Sequence, residues 1–540
     1  MSENTAQELS KKLKQISVAE FFEKNRHLLG FDSKRKALLT CVKEAVDNSL
    51  DACEEMGVLP EIKIIIKAKE ESVYRVSVED NGPGIVREKM SGVFGSLLFG
   101  SKFHVQKQSR GQQGIGISAS LLYAQLTTGK PGVIISRVHH SEPAKKIEMM
   151  IDVAKNAPDI VSEEDVENFP SHGTRIELEM EGEYLGKGQH SITEYLKQTS
   201  LINPHAQITF KGPDGEKMVF KRTMSKMPPV PKEIKPHPYG IELGILQRML
   251  ARTNSRTISA FLMKDFSRVG STSAKEILKK AKISTDVTPA KLDTTQSRNL
   301  LKSMQEVSLM KPPLDCLSPI GDTELEKSIK NEINAEFITT VSRETQVYRG
   351  MPFQVEIGVA YGGEVDSFRL LRFANRVPLS FNAGACVISE AVKETDWRRY
   401  HLSQSGGAGS PDAPLAVIVH FNSVWVPFAS EGKQAIASYP EIKKEIKLAL
   451  QEAGRRLDKY LKHQYKAQRD KKRVNTFIRY SHELIEPLTY LTNTKKESIE
   501  KTVELFMKDK YGDIVAGDDS EGEEILDVKS DVTIIQEGEE

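Results

Sequence analysis

Between residues 36 and 56 the chain reads KALLTCVKEAVDNSLDACEEM. At about 100° per residue its apolar and polar positions separate into two faces of a helix. Leu39, Val42, Val46, Leu50 and Cys53 form a stripe fit to bury, while Glu44, Asn48 and Asp51 fall within roughly 60° of one another on the opposite side. Gly57 and Pro60 stop this helix. Alternating or buried apolar positions then predict strands over 61–69 and 73–80, and another over 172–180. ISASLLYAQL, directly after Gly116, is helical again. Upstream, residues 1–35 hold a polar amphipathic segment. Ser17-Val-Ala-Glu20 follows it as a capping box before Phe21 and Phe22. This stretch reads equally as an arm reaching a partner or as a docked first helix.

Further on, 181–235 completes a first domain and runs into the Pro- and Lys-rich linker MPPVPKEIKPHPYG at 227–240. Residues 236–310 show short helical patterns, with a turn between two helices in FSRVGSTSAKEILKKAKI. From 311 the character is mixed α/β, and RLLRFANRVPL, PLAVIVHFN and WVPFAS read as strands. Pro440 opens a long charged helix with Ile442, Ile446, Ala449, Ala453, Leu457 and Leu461 on one face. Unbroken to Pro487 it would be ~70 Å long. The stretch 512–540 is acidic and expected to be disordered. These patterns predict an α+β multidomain protein divided at 1–235, 236–310, 311–511 and 512–540.

Composition narrows the class. The 540 residues exceed what one core supports. A hydrophobic fraction of 39%, a charged fraction of 28% and a net charge of +1 describe an ordinary soluble protein. Nucleic-acid binding therefore has to come from local patches. Arg248, Arg252, Arg256, Lys264, Arg268, Lys275 and Lys279 make the 236–310 region one such patch, suited either to phosphate-backbone contact or to a solvated helical face. The four scattered cysteines form no CxxC pair, which argues against zinc and disulfides and fits a reducing cytoplasm. No membrane span or secretory signal is legible.

Candidate chemistry clusters in the first domain. Glu44 and Asn48, one turn apart, are fit to face a phosphate and its Mg2+ as general base and neutral oxygen ligand. The strand at 73–80 ends in Asp80-Asn-Gly82-Pro-Gly84. There the carboxylate can accept a hydrogen bond from an exocyclic amine, and the glycines admit a flat ligand close to the backbone. Residues 91–116 are rich in Gly, Ser and Lys and end in Gly111-Gln112-Gln113-Gly114-Ile115-Gly116. Glycines that open a helix place free N–H groups and the positive dipole end together. Ser101, Lys102, Lys107 and Arg110 belong to what reads as a mobile lid. The spacing is not a P-loop, because Gly95-SLLF-Gly100 is followed by Ser-Lys rather than Lys-Ser. Gly173-Thr174 enters the strand at 172–180, where a hydroxyl can support the carboxylate.

In this order the motifs Glu-xxx-Asn, Asp-x-Gly-x-Gly, Gly-xx-Gly-x-Gly and Gly-Thr resemble the GHKL ATPase superfamily of gyrase-type topoisomerases, MutL, histidine kinases and large heat-shock chaperones. Over nearly the whole chain, EAVDNSLDACEEMGVLPEI, SRGQQGIGISAS, PPVPKEIKPHPYG, GMPFQVEIGVAYGG, LRFANRVPL and SEGKQAIA resemble the B subunits of type IIB topoisomerases, the topoisomerase VI family. That resemblance implies a GHKL domain, a helix–two-turn–helix domain and a transducer domain with a long carboxy-terminal helix. It implies Glu44 as the base, Asn48 as the Mg2+ ligand and Asp80 as the adenine reader. Gly111, Gly114 and Gly116 would close on the phosphates, and Lys433 would reach the γ-phosphate. It further implies ATP as the nucleotide, dimerisation of the GHKL domains on ATP, an A2B2 assembly with a DNA-cleaving A subunit, double-stranded DNA as substrate, and an archaeal source.

There are departures from the family pattern. Trp397-Arg-Arg-Tyr400 stands where the family often has Trp-Lys-x-Tyr. Lys187-Gly-Gln-His190 is less basic than the Lys-Gly-Arg-Arg loop of some members. The acidic end is too short for the extra β domain that some members carry. A MutL-like ATPase, disfavoured by the helical insert and the long helix, and an ATP-switched DNA clamp or scaffold without topoisomerase activity are the alternatives. A histidine kinase would need a phosphoacceptor helix that the pattern does not contain. Asp51 shares the polar face and either tunes the Mg2+ environment or caps a local hydrogen bond.

Overall fold

The computed structural model describes residues 10, 16–102, 105–111, 113–430 and 432–515. Within it the chain divides into two compact units, 1–457 and 458–540. The first unit is organised around the Lys34–Met56 helix. Ser33 opens it by accepting the Lys36 N–H, and Gly57 closes it in the left-handed conformation. Leu39, Val42, Val46, Leu50 and Cys53 are all buried, as the periodicity predicts. Ser17 caps the short Val18–Lys24 helix through the Glu20 N–H.

An eight-stranded sheet supports the Lys34–Met56 helix. Its strands are β1 (Glu61–Glu70), β2 (Val73–Glu79), β3 (Gly132–Arg137), β4 (Ala144–Asp152), β5 (Ala157–Val166), β6 (Gly173–Glu181), β7 (Gln207–Lys211) and β8 (Lys217–Phe220). The order is β5-β4-β3-β6-β2-β1-β7-β8. Among these strands, only β1 and β7 pair in parallel. The Lys34–Met56 and Gly116–Thr128 helices touch each other and both rest on this sheet. Leu38, Leu50, Ile64, Val76, Leu121, Ile134 and Leu178 meet in one core. The result is an α/β sandwich in which the ends of β2 and β6 open toward the two helices.

A second core belongs to the helices Leu243–Arg252, Ile258–Asp265, Ser271–Ala281 and Thr294–Glu306, closed around Leu246, Phe261, Phe266, Ile277 and Leu300. Asp293 and Gln296 form a reciprocal capping box on the last of them. The segment at 227–240 that reads as a linker is instead a fastened strap. The Lys232 N–H donates to Asp315 O, the Ile234 N–H donates to Gln106 O, and buried His237 hydrogen-bonds Met310 O. Prolines remove backbone donors along it, and the Lys232 and Ile234 N–H groups reach neighbouring segments.

A third core surrounds a six-stranded sheet of β9 (Phe337–Ser342), β10 (Gln346–Tyr348), β11 (Met351–Tyr361), β12 (Arg369–Ala374), β13 (Val377–Pro378) and β14 (Leu415–Ser423). Every residue of β14 is buried, as befits its central place between β11 and β12. WVPFAS is not a strand, and Phe428 makes only an isolated bridge to Ile436. Pro427 lacks a ladder donor, and the Ser423 hydroxyl turns the chain by bonding both the N–H and the carbonyl of Trp425.

The long helix runs Pro440–Glu483, with Ile442, Ile446, Ala449, Ala453 and Leu457 buried. It does not continue to Pro487. Ile485–Thr492 is a separate helix, and Pro487 sits in its first turn, where a missing N–H breaks no bond. The last helix, Lys496–Val515, passes beyond the expected boundary at 511, and residues 516–540 of the acidic stretch lie outside the described residues. No helix among the described residues is long and apolar enough to cross a membrane.

Glu356 of β11, fully buried, is the polar anchor of the third core. It accepts hydrogen bonds from His420 Nδ1 (2.9 Å), Asn422 Nδ2 (2.8 Å), the Ile320 N–H (3.1 Å) and the Gly321 N–H (2.7 Å). The Arg376 N–H donates to His420 Nε2 at 2.9 Å, which puts the ring proton on Nδ1. Burial pushes the imidazole below its ordinary value, so it donates as a neutral ring. Burial works against the Glu356 anion, but these donors outweigh it and hold the carboxyl down at about 2. The anion therefore contributes stability above the unfolded carboxyl value, and that share is lost as the pH falls toward 2. The Glu356→Gln variant is expected to be less stable at about pH 5, yet its guanidinium midpoint should fall less steeply than wild type between about pH 5 and 3. Parallel slopes would show that the carboxyl titrates alike in the folded and unfolded chain, and a wild type that falls less steeply than the variant would show that it stays protonated in the core.

Candidate functional site

A cavity of about 560 Å3 opens between the Lys34–Met56 helix, the ends of β2 and β6, the start of the Gly116–Thr128 helix and the loop after β14. Glu44, Asn48, Asp80, Gly84, Ser101, Lys102, Gly111, Gln113, Gly114, Ile115, Gly116, Thr174 and Lys433 line it. Of the residues expected from sequence, Gly82 stands just behind the wall and Gln112 lies outside the described residues.

One end of the cavity is built around Asp80. Its Oδ1 accepts the Gly82 N–H at 2.9 Å and the Thr174 N–H at 3.2 Å, and its Oδ2 accepts Ser49 Oγ at 3.0 Å. Burial raises its pKa, and these three donors oppose the rise. The close approach of backbone strands makes two glycines obligatory. A Cβ at Gly84 would overlap Arg137 O, and one at Gly173 would overlap Asp80 O, both at positive φ. Ser136 ties the pieces together, accepting the Ile85 N–H at 2.8 Å and lying 3.1 Å from Thr174 Oγ1. Among this end's residues, Ser49 carries no sequence signal beyond its place one residue after Asn48.

The other end is rich in charge. Glu44 faces the start of the Gly116–Thr128 helix so closely that a Cβ at Gly116 would overlap its carboxylate. That helix has no side-chain cap, which leaves its first N–H groups directed toward the cavity rim. Asn48 Oδ1 lies 3.7 Å from where a Gly111 Cβ would be. Lys433 enters from the third core on a left-handed backbone (φ +50°), and its Nζ is 3.5 Å from Arg110 O. Lys43, Lys89, Phe381 and Gln434, given no role in the sequence reading, also line the cavity. Burial lowers the Lys43 ammonium, with Asp47 and Glu44 opposing. Behind this wall Asp47 is buried, its Oδ1 3.5 Å from Tyr195 Oη, and burial pushes its carboxyl up to about 7.

The charges of the lid stretch meet the Lys34–Met56 helix. Arg110 is not a lid charge but a buried hub. Its guanidinium donates to Asp51 Oδ1 (2.8 Å), to both Glu54 oxygens (2.8 and 2.6 Å) and to Asn203 Oδ1 (2.6 Å). Asp51 is held by Arg110 and by Lys102 Nζ at 2.7 Å. Burial would raise its pKa, but the two cations bring it below the ordinary value. Lys102 and Lys107 both reach Glu55, at 3.7 and 3.4 Å, so the described lid residues are clipped to the Lys34–Met56 helix.

Two further basic motifs lie outside the lining of the cavity. Trp397 and Tyr400 are buried, the Trp397 indole N–H donating to Val392 O and the Tyr400 ring filling the space beside Gly454. Only Arg398 and Arg399 of that motif reach solvent, each paired with Asp396. His190 stacks on Phe381 at 4.7 Å.

Two family models match the chain. One, described as histidine kinase-, DNA gyrase B- and HSP90-like ATPase, covers residues 33–182. The other, the topoisomerase VI B subunit transducer, covers residues 312–473. The type 2 DNA topoisomerase 6 B subunit of Methanococcoides burtonii is 49% identical over 483 residues, covering 88% of this chain and 78% of that protein. That of Archaeoglobus fulgidus is also 49% identical, over 84% of this chain and 75% of its own length. The Pyrococcus horikoshii protein is 38% identical, over 93% of this chain and 96% of its own. Identity at this level over so much of both partners, with an ATPase model on the first core and a transducer model on the third, places the chain in the family of type 2 DNA topoisomerase 6 B subunits.

Proposed function

We propose that the cavity is an ATP site whose occupancy gates double-stranded DNA passage by a type IIB topoisomerase, this chain being its ATP-hydrolysing B subunit. The observation that carries the reading is the convergence on one wall of Glu44, the Gly111–Gly116 loop and Lys433, the last delivered from a different core. Asp80 reads the adenine amine. Its Oδ2 accepts only Ser49 among the bonds described, which leaves a lone pair for that amine. The glycines at 84 and 173 let the flat ring lie against backbone.

The uncapped start of the Gly116–Thr128 helix and Lys433 take the phosphates. Glu44 accepts the proton of the attacking water. Asn48 is the protein's oxygen ligand for Mg2+. A single ligand suits an ion that keeps most of its coordination for water and phosphate, and among the described residues no three Asp, Glu, His or Cys side chains converge as a metal cage. When bound, the ion supplies charge neutralisation on the triphosphate. Gly116 gives Glu44 its room and Arg110 fixes the loop beneath.

In this reading the Lys34–Met56 core is the GHKL domain, the four-helix core a helix–two-turn–helix domain and the third core the transducer. Two copies close through their GHKL domains on binding ATP and hold a duplex. Lys433 reports the γ-phosphate to the transducer, and an A subunit in an A2B2 assembly cuts the DNA in an archaeal cytoplasm.

Glu44→Ala is expected to bind ATP within a few-fold of wild type while hydrolysis falls by about 10²-fold or more, measured on the purified chain with its A subunit. Normal turnover would sink the assignment. Lys433→Ala should keep nucleotide affinity within an order of magnitude but lower plasmid relaxation by about 10²-fold. Full relaxation activity would refute its role.

A further inference from the structure

Just before the glycine loop lie Gln108, Ser109 and Arg110, and the ATP reading gives a task to Arg110 alone. Gln108 is 6% exposed although it stands in a polar loop. Its N–H donates to Cys316 O at 3.0 Å. Its side-chain amide is used at both ends. Oε1 accepts the Ser318 N–H at 2.7 Å, while Nε2 donates to Asn422 Oδ1 at 3.2 Å and to Ser318 O at 3.4 Å. Asn422, on β14, donates in turn to the buried Glu356 anion. The next residue, Ser109, offers its carbonyl to Asn375 Nδ2 at 3.0 Å, from the turn after β12. Arg110 then reaches the opposite way, into Asp51 and Glu54 of the Lys34–Met56 helix. Three consecutive residues thus join the third core to the first, and Gly111 of the glycine loop follows immediately.

A buried amide with all its partners made cannot slide. It either keeps its geometry or loses several bonds at once. Any shift of the β14 end relative to the Lys34–Met56 helix must therefore move Gly111 or break the Gln108 contacts. We propose that Gln108 is a positioning residue that transmits the place of the β12–β14 sheet to the Gly111–Gly116 loop. It links the two cores separately from Lys433. Lys433 runs from the third core into the cavity, whereas Gln108 runs from the cavity's loop into the third core. The proposal rests on the reading of that loop as the phosphate site.

The test uses the full chain assembled with its A subunit, in the variants Gln108→Glu, Gln108→Met and Asn422→Ala. Gln108→Glu keeps the acceptor for the Ser318 N–H but puts an oxygen opposite two acceptor oxygens. Gln108→Met keeps the shape without the bonds, and Asn422→Ala removes the partner from the β14 side. ATP affinity, kcat and KM for hydrolysis, and strand passages per ATP hydrolysed are measured for each. The expected result is affinity and KM within about threefold of wild type, with kcat and passages per ATP both reduced by about tenfold. Wild-type kcat and passages per ATP in any folded variant overturn the proposal. Parallel loss of nucleotide binding in all three also overturns it, because Gln108 is then only a support of the fold. Failure of the underlying ATP reading is recognised separately, by wild-type protein that does not bind ATP or by a Glu44→Ala variant that hydrolyses it normally.

Discussion

The fold around the cavity depends on one buried cation. Arg110, its side chain 3% exposed, sits among Asp51, Glu54 and Asn203, and its carbonyl faces Lys433. Desolvating a guanidinium is tolerated because two carboxylates and an amide oxygen occupy the donors of both terminal nitrogens, Nε being left buried without a partner among the described residues. The same pairing makes Asp51 and Glu54 possible inside the protein. His205 and Arg376 complete the cluster, at 2.8 and 3.9 Å from Glu54. Remove the arginine and Asp51 keeps only the Lys102 ion pair while Glu54 keeps only His205 and the more distant Arg376, so both anions lose their main compensation. The cost falls at the place where the glycine loop, the Lys34–Met56 helix and the third core meet.

This arrangement explains how a chain with several cores brings its candidate chemistry to one cavity. The eight-stranded sheet and its helices provide a floor, and the β14 sheet packs its own core beside it, joined to the first through Leu201 and Ile202 of the Ile192–Ile202 helix. Beside the glycine loop the contacts between the two are polar, through the Arg110 carbonyl, Gln108, Asn375 and Asn422. Polar seams are directional, so they define discrete positions where an apolar seam would allow sliding. A nucleotide-operated machine needs such seams, because a change at the phosphates has to arrive elsewhere as a change of register.

Much of this was legible in the residues, and the reasons are local. The 36–56 stripe, the strands at 61–69 and 73–80, and the face of Ile442, Ile446, Ala449, Ala453 and Leu457 follow from periodicity, and the structure buries those side chains. Glu44, Asn48, Asp80 and the glycines lie on one cavity because their motifs sit at element ends, where chain direction is set by short-range sterics. What escaped was long-range. Arg110 reads as a loop charge because its partners are 56–93 positions away in the chain. Gln108 and Asn422 are 314 apart. WVPFAS has strand composition, and only the Ser423 hydroxyl and Pro427 turn it aside. The strap at 227–240 looked like a spacer because its prolines say nothing of what its remaining N–H groups would find.

Gly116 carries a consequence for heredity. The volume beside its α-carbon is occupied by Glu44, so this glycine is a clearance as much as a hinge. A sequence in which it drifts to alanine would leave every acidic and basic motif residue unaltered on paper while crowding the carboxylate out of register. Among descendants of such a chain, the ATPase could be silenced without a change in any residue that looks chemical. A compensating change could then appear at position 44, as a shorter acid that fits the reduced space.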